Sequence, residues 1–94
     1  MSWPSPMHAR ATSDVLTSIA ANVRRQRLER GLSQAQLAER ADLELRQLQR
    51  IEQAVTNFGV VTLVRLADAL GVRPGSLLRR APLPAARKGR PPQG

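Results

Sequence analysis

Four polar side chains in the middle of the chain, Arg46, Gln49, Arg50 and Gln53, recur at i, i+3, i+4 and i+7. That spacing lines residues up on one side of a helix. Arginine offers paired N–H donors that match O6 and N7 of guanine, and glutamine offers the donor and acceptor that match N7 and N6 of adenine, so the chemistry of this row is the reading of base edges in a major groove. In an arbitrary protein the same row is an ordinary solvated helix face. The elements that hold it therefore have to decide between the two.

On the same segment Leu48 and Ile51 form a narrow apolar stripe, and upstream Leu37, Ala38 and Ala41 form another. Two short helices joined by a tight turn are thus predicted between Gly31 and Ala54. Ser33 followed three residues later by Gln36 has the form of a capping box and starts the first of them. Asp42 takes the turn, where a short polar side chain tolerates a positive φ. The helix bearing the polar row is expected over about Glu44 to Gln53.

Around this pair, a first helix is predicted from Ser13 to Arg30, with Ser13 as N-cap, Asp14 near the positive end and Gly31 as a left-handed stop. Its inward stripe is Leu16, Ile19, Ala20 and Val23. Thr56 to Gly59 reads as a loop. Val60 to Leu70 reads as a further helix with Val60, Leu63, Val64, Ala67 and Leu70 inward, stopped by Gly71. Pro74 opens a last short helix through Leu77, Leu78 and Arg79. The expectation is an all-α, compact five-helix bundle over residues 13–80, between a disordered lead (1–12) and a disordered basic tail (81–94). In the lead, Trp3 is expected to be exposed and Met7 is an alternative start.

A chain of 94 residues supports one modest core, too little for a two-domain enzyme. With no cysteine it cannot build a disulfide, a thiol nucleophile or a cysteine-based zinc module, and with a single histidine, His8, no histidine-based metal site or Ser-His-Asp triad is expected. No catalytic residues, metal or cofactor are expected, and the chain is read as a non-enzyme. No apolar run approaches the roughly 18 residues of a membrane span, and the N-terminus lacks the order of a signal peptide. A cytoplasmic, nucleoid-associated protein without a membrane partner is the expectation.

The net charge of +8 suits a polyanionic partner, but it is unevenly placed. Residues 33–55, which hold the helix pair, come to −1, because Arg40, Arg46 and Arg50 face Glu39, Asp42, Glu44 and Glu52. Residues 15–32 carry +3 and the tail from Arg79 carries +5. The total supports general attraction to nucleic acid, and sequence reading has to come from the helical pattern. Arg24, Arg25 and Arg30 form a cluster that fits solvation or phosphate contact equally. The tail segment Arg87 to Pro92, RKGRPP, looks like the core of an AT-hook. It is one imperfect copy, so a non-specific polycation tail is the preferred reading.

GLSQAQLAERADL, LQRIEQ and TLVRLADALGV, in that order and spacing, resemble the phage-repressor and Cro-like (XRE-type) helix-turn-helix family, and the resemblance spans about Ile19 to Leu78. It implies a lambda-repressor-like bundle whose third helix enters the major groove of double-stranded DNA, usually as a homodimer on a two-fold operator. It also implies base or groove contact by Leu45, Arg46, Gln49 and Arg50, and backbone contact by Gln34, Gln47 and Asn57. Arg27 and Glu52 match a structural ion pair between the first and third helices. Val72, Pro74, Leu77 and Leu78 match the end of the domain that often supplies the dimer contact, although they also fit core closure. Three positions depart from the family pattern. Glu44 stands where Ser or Thr commonly caps, Leu45 replaces a frequent polar reader and suits a thymine methyl, and Ala54 replaces a helix-ending Gly.

The resulting reading is a transcriptional regulator, a repressor or autoregulator, with RNA polymerase or a cognate toxin as further candidate partners. Two other readings stand beside it. One is a protein-interaction module, an antitoxin or assembly factor, with weak or absent DNA binding; the other is a non-specific nucleoid-type binder led by the tail.

Overall fold

Five helices follow one another in the computed structural model, which describes residues 5–82, with side chains from Thr12 onward. They are α1 (Ser5–Glu29), α2 (Gln34–Arg40), α3 (Leu45–Glu52), α4 (Val60–Leu70) and α5 (Pro74–Leu77). The readings placed on Trp3, on the side chains of Met7 and His8, and on the tail segment Arg87 to Pro92 lie outside the described residues.

Helix α1 starts eight residues earlier than the predicted Ser13, which lies inside the helix and caps nothing. Pro6 is tolerated in a first turn, and the Ala- and Arg-containing run behind it has no helix breaker, so local propensity carries the helix back to Ser5. At α2 both halves of the capping box form. The Gln36 amide donates to Ser33 Oγ at 3.0 Å, and the Ser33 amide donates to Gln36 Oε1 at 2.8 Å.

Four helices close with the same device, a residue in the left-handed region: Gly31 (φ 68°), Asp42 (φ 58°), Ala54 (φ 60°) and Gly71 (φ 71°). Each donates its N–H to the carbonyl three residues back while the next residue donates five back, as in Ala54 to Ile51 at 3.0 Å and Val55 to Arg50 at 3.2 Å. This is the Schellman arrangement. Gly31 and Gly71 adopt it without a Cβ penalty, whereas Ala54 carries a left-handed strain of about 1–2 kcal/mol. The alanine therefore leaves the shape of the stop intact and costs stability. Ala54→Gly is expected to stabilise the domain by about 1 kcal/mol, read in a thermal melt as a rise of roughly 4–8 °C.

The core is one cluster drawn from every helix: Ile19 and Val23 of α1, Leu37 and Ala38 of α2, Leu48 and Ile51 of α3, Leu63, Leu66, Ala67 and Leu70 of α4, and Leu77 of α5. Helix α1 packs against α3, α4 and α5, and α2 packs against α3 and α4. Each wholly buried Leu contributes about 1.5–3 kcal/mol over its exposed state.

On α4 the inward face differs from the predicted one, because Val60 is 74% exposed and Val64 is exposed at the rim while Leu66 is wholly buried. The segment VVTLVRLADAL supports two overlapping stripes. The one containing Leu63, Leu66, Ala67 and Leu70, spaced i, i+3, i+4 and i+7, buries the larger side chains.

The C-terminal end of the domain is tied back onto α1 by polar side chains. Asn22, 2% exposed, donates from Nδ2 to the carbonyls of Leu77 at 3.0 Å and Arg79 at 2.7 Å, and its Oδ1 accepts from Arg25 at 3.2 Å. Ser18 Oγ accepts from the Ala81 amide at 3.0 Å. Asn22 thus supplies the hydrogen bonds that the end of the short helix α5 lacks. Asn22→Ala is expected to cost about 1–2 kcal/mol and to raise amide exchange across Leu78 to Ala81. Amide exchange unchanged in that segment would contradict the assignment.

Candidate nucleic-acid interface

Helix α3 is held by its inner row. Leu48, Ile51 and Glu52 are buried, and the helical period then directs Arg46, Arg50 and Gln53 away from the core. These three are exposed, and half-buried Gln47 and Gln49 flank them. Among the described residues neither Arg46 nor Arg50 forms an ion pair or hydrogen bond. Two guanidinium groups with all their donors free thus stand side by side one helical turn apart. Leu45, at the start of the helix, is 41% exposed.

The polar face is shaped as well as displayed. Glu44, Arg46, Gln47, Arg50 and Thr56 line an open cleft of about 260 Å³ along the exposed side of α3. Glu44 is the N-cap residue of α3, with extended backbone (φ −74°, ψ 146°), and its carboxylate makes no capping hydrogen bond. Asn57 is exposed in the loop that follows α3, and the Thr56 hydroxyl donates to its carbonyl at 3.2 Å.

Behind this face sits a buried polar network. Arg27 Nε donates to Glu52 Oε2 at 2.8 Å and Arg27 Nη2 to Glu52 Oε1 at 3.0 Å, a bidentate pair linking α1 to α3. Arg27 Nη1 donates to the Leu32 carbonyl at 2.9 Å, which fixes the chain between α1 and α2. Gln34 Nε2 donates to Glu52 Oε1 at 3.1 Å, so the first residue of α2 is tied to the last residue of α3. The sequence pointed to Gln34 only as an outward contact; its bond to Glu52 was not legible, since it joins residues 18 apart in sequence.

The remaining predicted positions divide. Arg25 is engaged with Glu29 at 3.5 Å and with Asn22, and Arg30 Nη1 donates to the Gln26 carbonyl at 2.8 Å. Both fold back on α1, and Arg24 makes no such contact among the described residues. Leu77 is wholly buried and closes the core, so it has no surface to offer a second copy. Val72 and Pro74 are half-buried, and Leu78 is 46% exposed.

A comparison with family models matches residues 23–77, more than half the chain and the stretch containing α2, the turn and α3, to the helix-turn-helix family. The chain belongs to the XRE-type helix-turn-helix family. Among solved structures it is similar to the restriction-modification controller protein C.AhdI from Aeromonas hydrophila, with 31% identity and a TM-score of 0.64, covering 66% of this chain and 94% of that one. It is also similar to the hypothetical transcription factor NHTF from Neisseria, with 28% identity and a TM-score of 0.70, covering 82% of this chain and 85% of that one. A comparison with curated protein sequences finds no match. As an XRE-type helix-turn-helix protein the chain is a DNA-binding regulator, of a kind that is typically not enzymatic. Among the described residues, no helix is long and apolar enough to cross a membrane.

Proposed function

We propose that this chain is a sequence-specific transcriptional regulator that binds a two-fold operator as a homodimer and acts as a repressor or autoregulator. The observation that carries the reading is the pair Arg46 and Arg50, exposed and, among the described residues, unpaired on the outer face of a helix whose inner face is locked into the core. Leu45, Arg46, Gln49 and Arg50 read the bases, and Gln34, Gln47 and Asn57 hold the sugar-phosphate backbone. Gln34 keeps a second amide hydrogen and its main-chain N–H for that purpose, since only one amide hydrogen is used on Glu52.

The dimer contact is assigned to the exposed Leu78 with Val72 and Pro74, next to the Asn22 clamp that fixes this end of the domain. A two-fold dimer sets its half-sites ~34 Å apart, one turn of duplex. Occupancy of a promoter by such a dimer blocks polymerase. The similarity to a controller protein and to a transcription factor supports this role.

A second reading draws on the exposed ridge of Val60, Val61 and Val64. It gives the fold a protein partner, such as a cognate toxin or RNA polymerase, with weak DNA binding. An anisotropy titration at physiological salt separates the two. The regulator binds DNA from upstream of its own gene far more tightly than a scrambled duplex; equal affinity for both would sink the operator reading.

A further inference from the structure

We propose that Glu44 is a specificity-determining residue of this interface, accepting a hydrogen bond from the N4 amino group of a cytosine beside the guanine read by Arg46. The proposal rests on the operator-binding reading and adds a base to it. Its starting point is a carboxylate that the fold leaves without a use. The short N-cap side chains Ser, Thr, Asp and Asn accept from the first-turn amides, and the longer Glu44 makes no such bond. It also forms no ion pair among the described residues, although Arg46 and Arg50 line the same cleft.

The position is one that meets bases. N-terminal residues of a recognition helix contact base edges in the major groove, and Glu44 immediately precedes α3 and shares its cleft with Arg46, Gln47, Arg50 and Thr56. An ionised carboxylate only accepts hydrogen bonds. Facing a phosphate it is repelled, and facing guanine O6 and N7 or thymine O4 it meets acceptors. The amino groups of cytosine and adenine are the donors available there. Adenine sets the N7 lone pair beside its amino group, whereas cytosine presents N4 alone, so cytosine is the better partner. A carboxylate beside two arginines thereby turns a generally anion-seeking face into one that asks for an amino group at one place. It also explains how a helix pair with a charge of −1 over residues 33–55 serves a DNA surface.

The test compares sites selected from random duplex DNA by the full-length wild type, Glu44→Ala and Glu44→Gln at physiological salt. Wild type is expected to enrich a cytosine at one position of each half-site, and thymine there should weaken binding roughly ten- to a hundredfold. Glu44→Ala should lose that preference and keep the rest of the motif. Its melting temperature should match wild type, because no capping bond is lost; if it does not, Glu44→Gln, which offers a donor beside its acceptor, should move the preference at that position from cytosine toward adenine. An unchanged motif with uniformly tighter binding to every duplex would overturn the proposal, since it would reduce Glu44 to phosphate repulsion. No enriched sequence for wild type would overturn the operator reading itself and the proposal with it, an outcome distinct from the first.

Discussion

Glu52→Ala is expected to destabilise the domain by about 3–5 kcal/mol, and Arg27→Ala by a similar amount. The basis is burial: Arg27 is 8% and Glu52 7% exposed, so deleting either leaves an unpaired charge in the core. Both carboxylate oxygens and all three guanidinium nitrogens are used, the last through the Leu32 carbonyl, and Gln34 adds a further bond to Glu52. For a domain of this size total stability is of order 5–15 kcal/mol, so either loss removes a large fraction of it. Urea denaturation of the two single variants and of Arg27→Met/Glu52→Leu checks the account. The double variant should recover most of the loss, because replacing a whole buried pair with apolar groups is close to neutral. The exposed pairs Arg25–Glu29 and Arg65–Asp42, at 3.5 and 3.9 Å, are expected to contribute only about 0–1 kcal/mol. A single variant of Glu52 that retained wild-type stability would remove the ion pair from the scaffold.

The second large effect falls on binding. Arg46→Ala and Arg50→Ala should each weaken the specific site by about 1–3 kcal/mol, roughly five- to 150-fold, while binding to scrambled DNA changes little. Melting temperatures should stay at wild type, since neither side chain has a partner among the described residues to lose. The two stand one turn apart on α3, so the double variant need not show the sum of the single losses. The contrast with Glu52 is what makes the pair of predictions informative. One group of residues fails through folding and the other through recognition, and a melt run beside each titration tells them apart.

Local signals made much of this legible in the sequence. Ser33 and Gln36 announce a capping box, Gly31, Asp42 and Gly71 announce left-handed stops, and Leu37, Leu48 and Ile51 announce the inner faces of α2 and α3; each of these is decided within a few residues. The resemblance supplied the Arg27–Glu52 pair, which joins residues 25 apart and which no local pattern reveals. The inner face of α4 was legible at Leu63, Ala67 and Leu70 but not at Leu66, because a helix apolar at most positions leaves the choice between Val64 and Leu66 to its neighbours. Nor was the clamp made by Asn22 and Ser18. Polar residues inside a helix look solvated until the chain returns 55–63 residues later to use them. Ala54 shows the converse, a position where the backbone takes a left-handed turn although the residue type argues against it.

In the proposed function α3 reads sequence through Arg46 and Arg50 from a two-fold assembly. Selection of bound duplexes from a random library at physiological salt tests it most directly. An enriched motif is expected, with two-fold symmetry, half-sites about 34 Å apart and guanine at positions that lose their preference in Arg46→Ala and Arg50→Ala. A folded protein that enriches no sequence, or whose motif is unchanged in both variants, would contradict it.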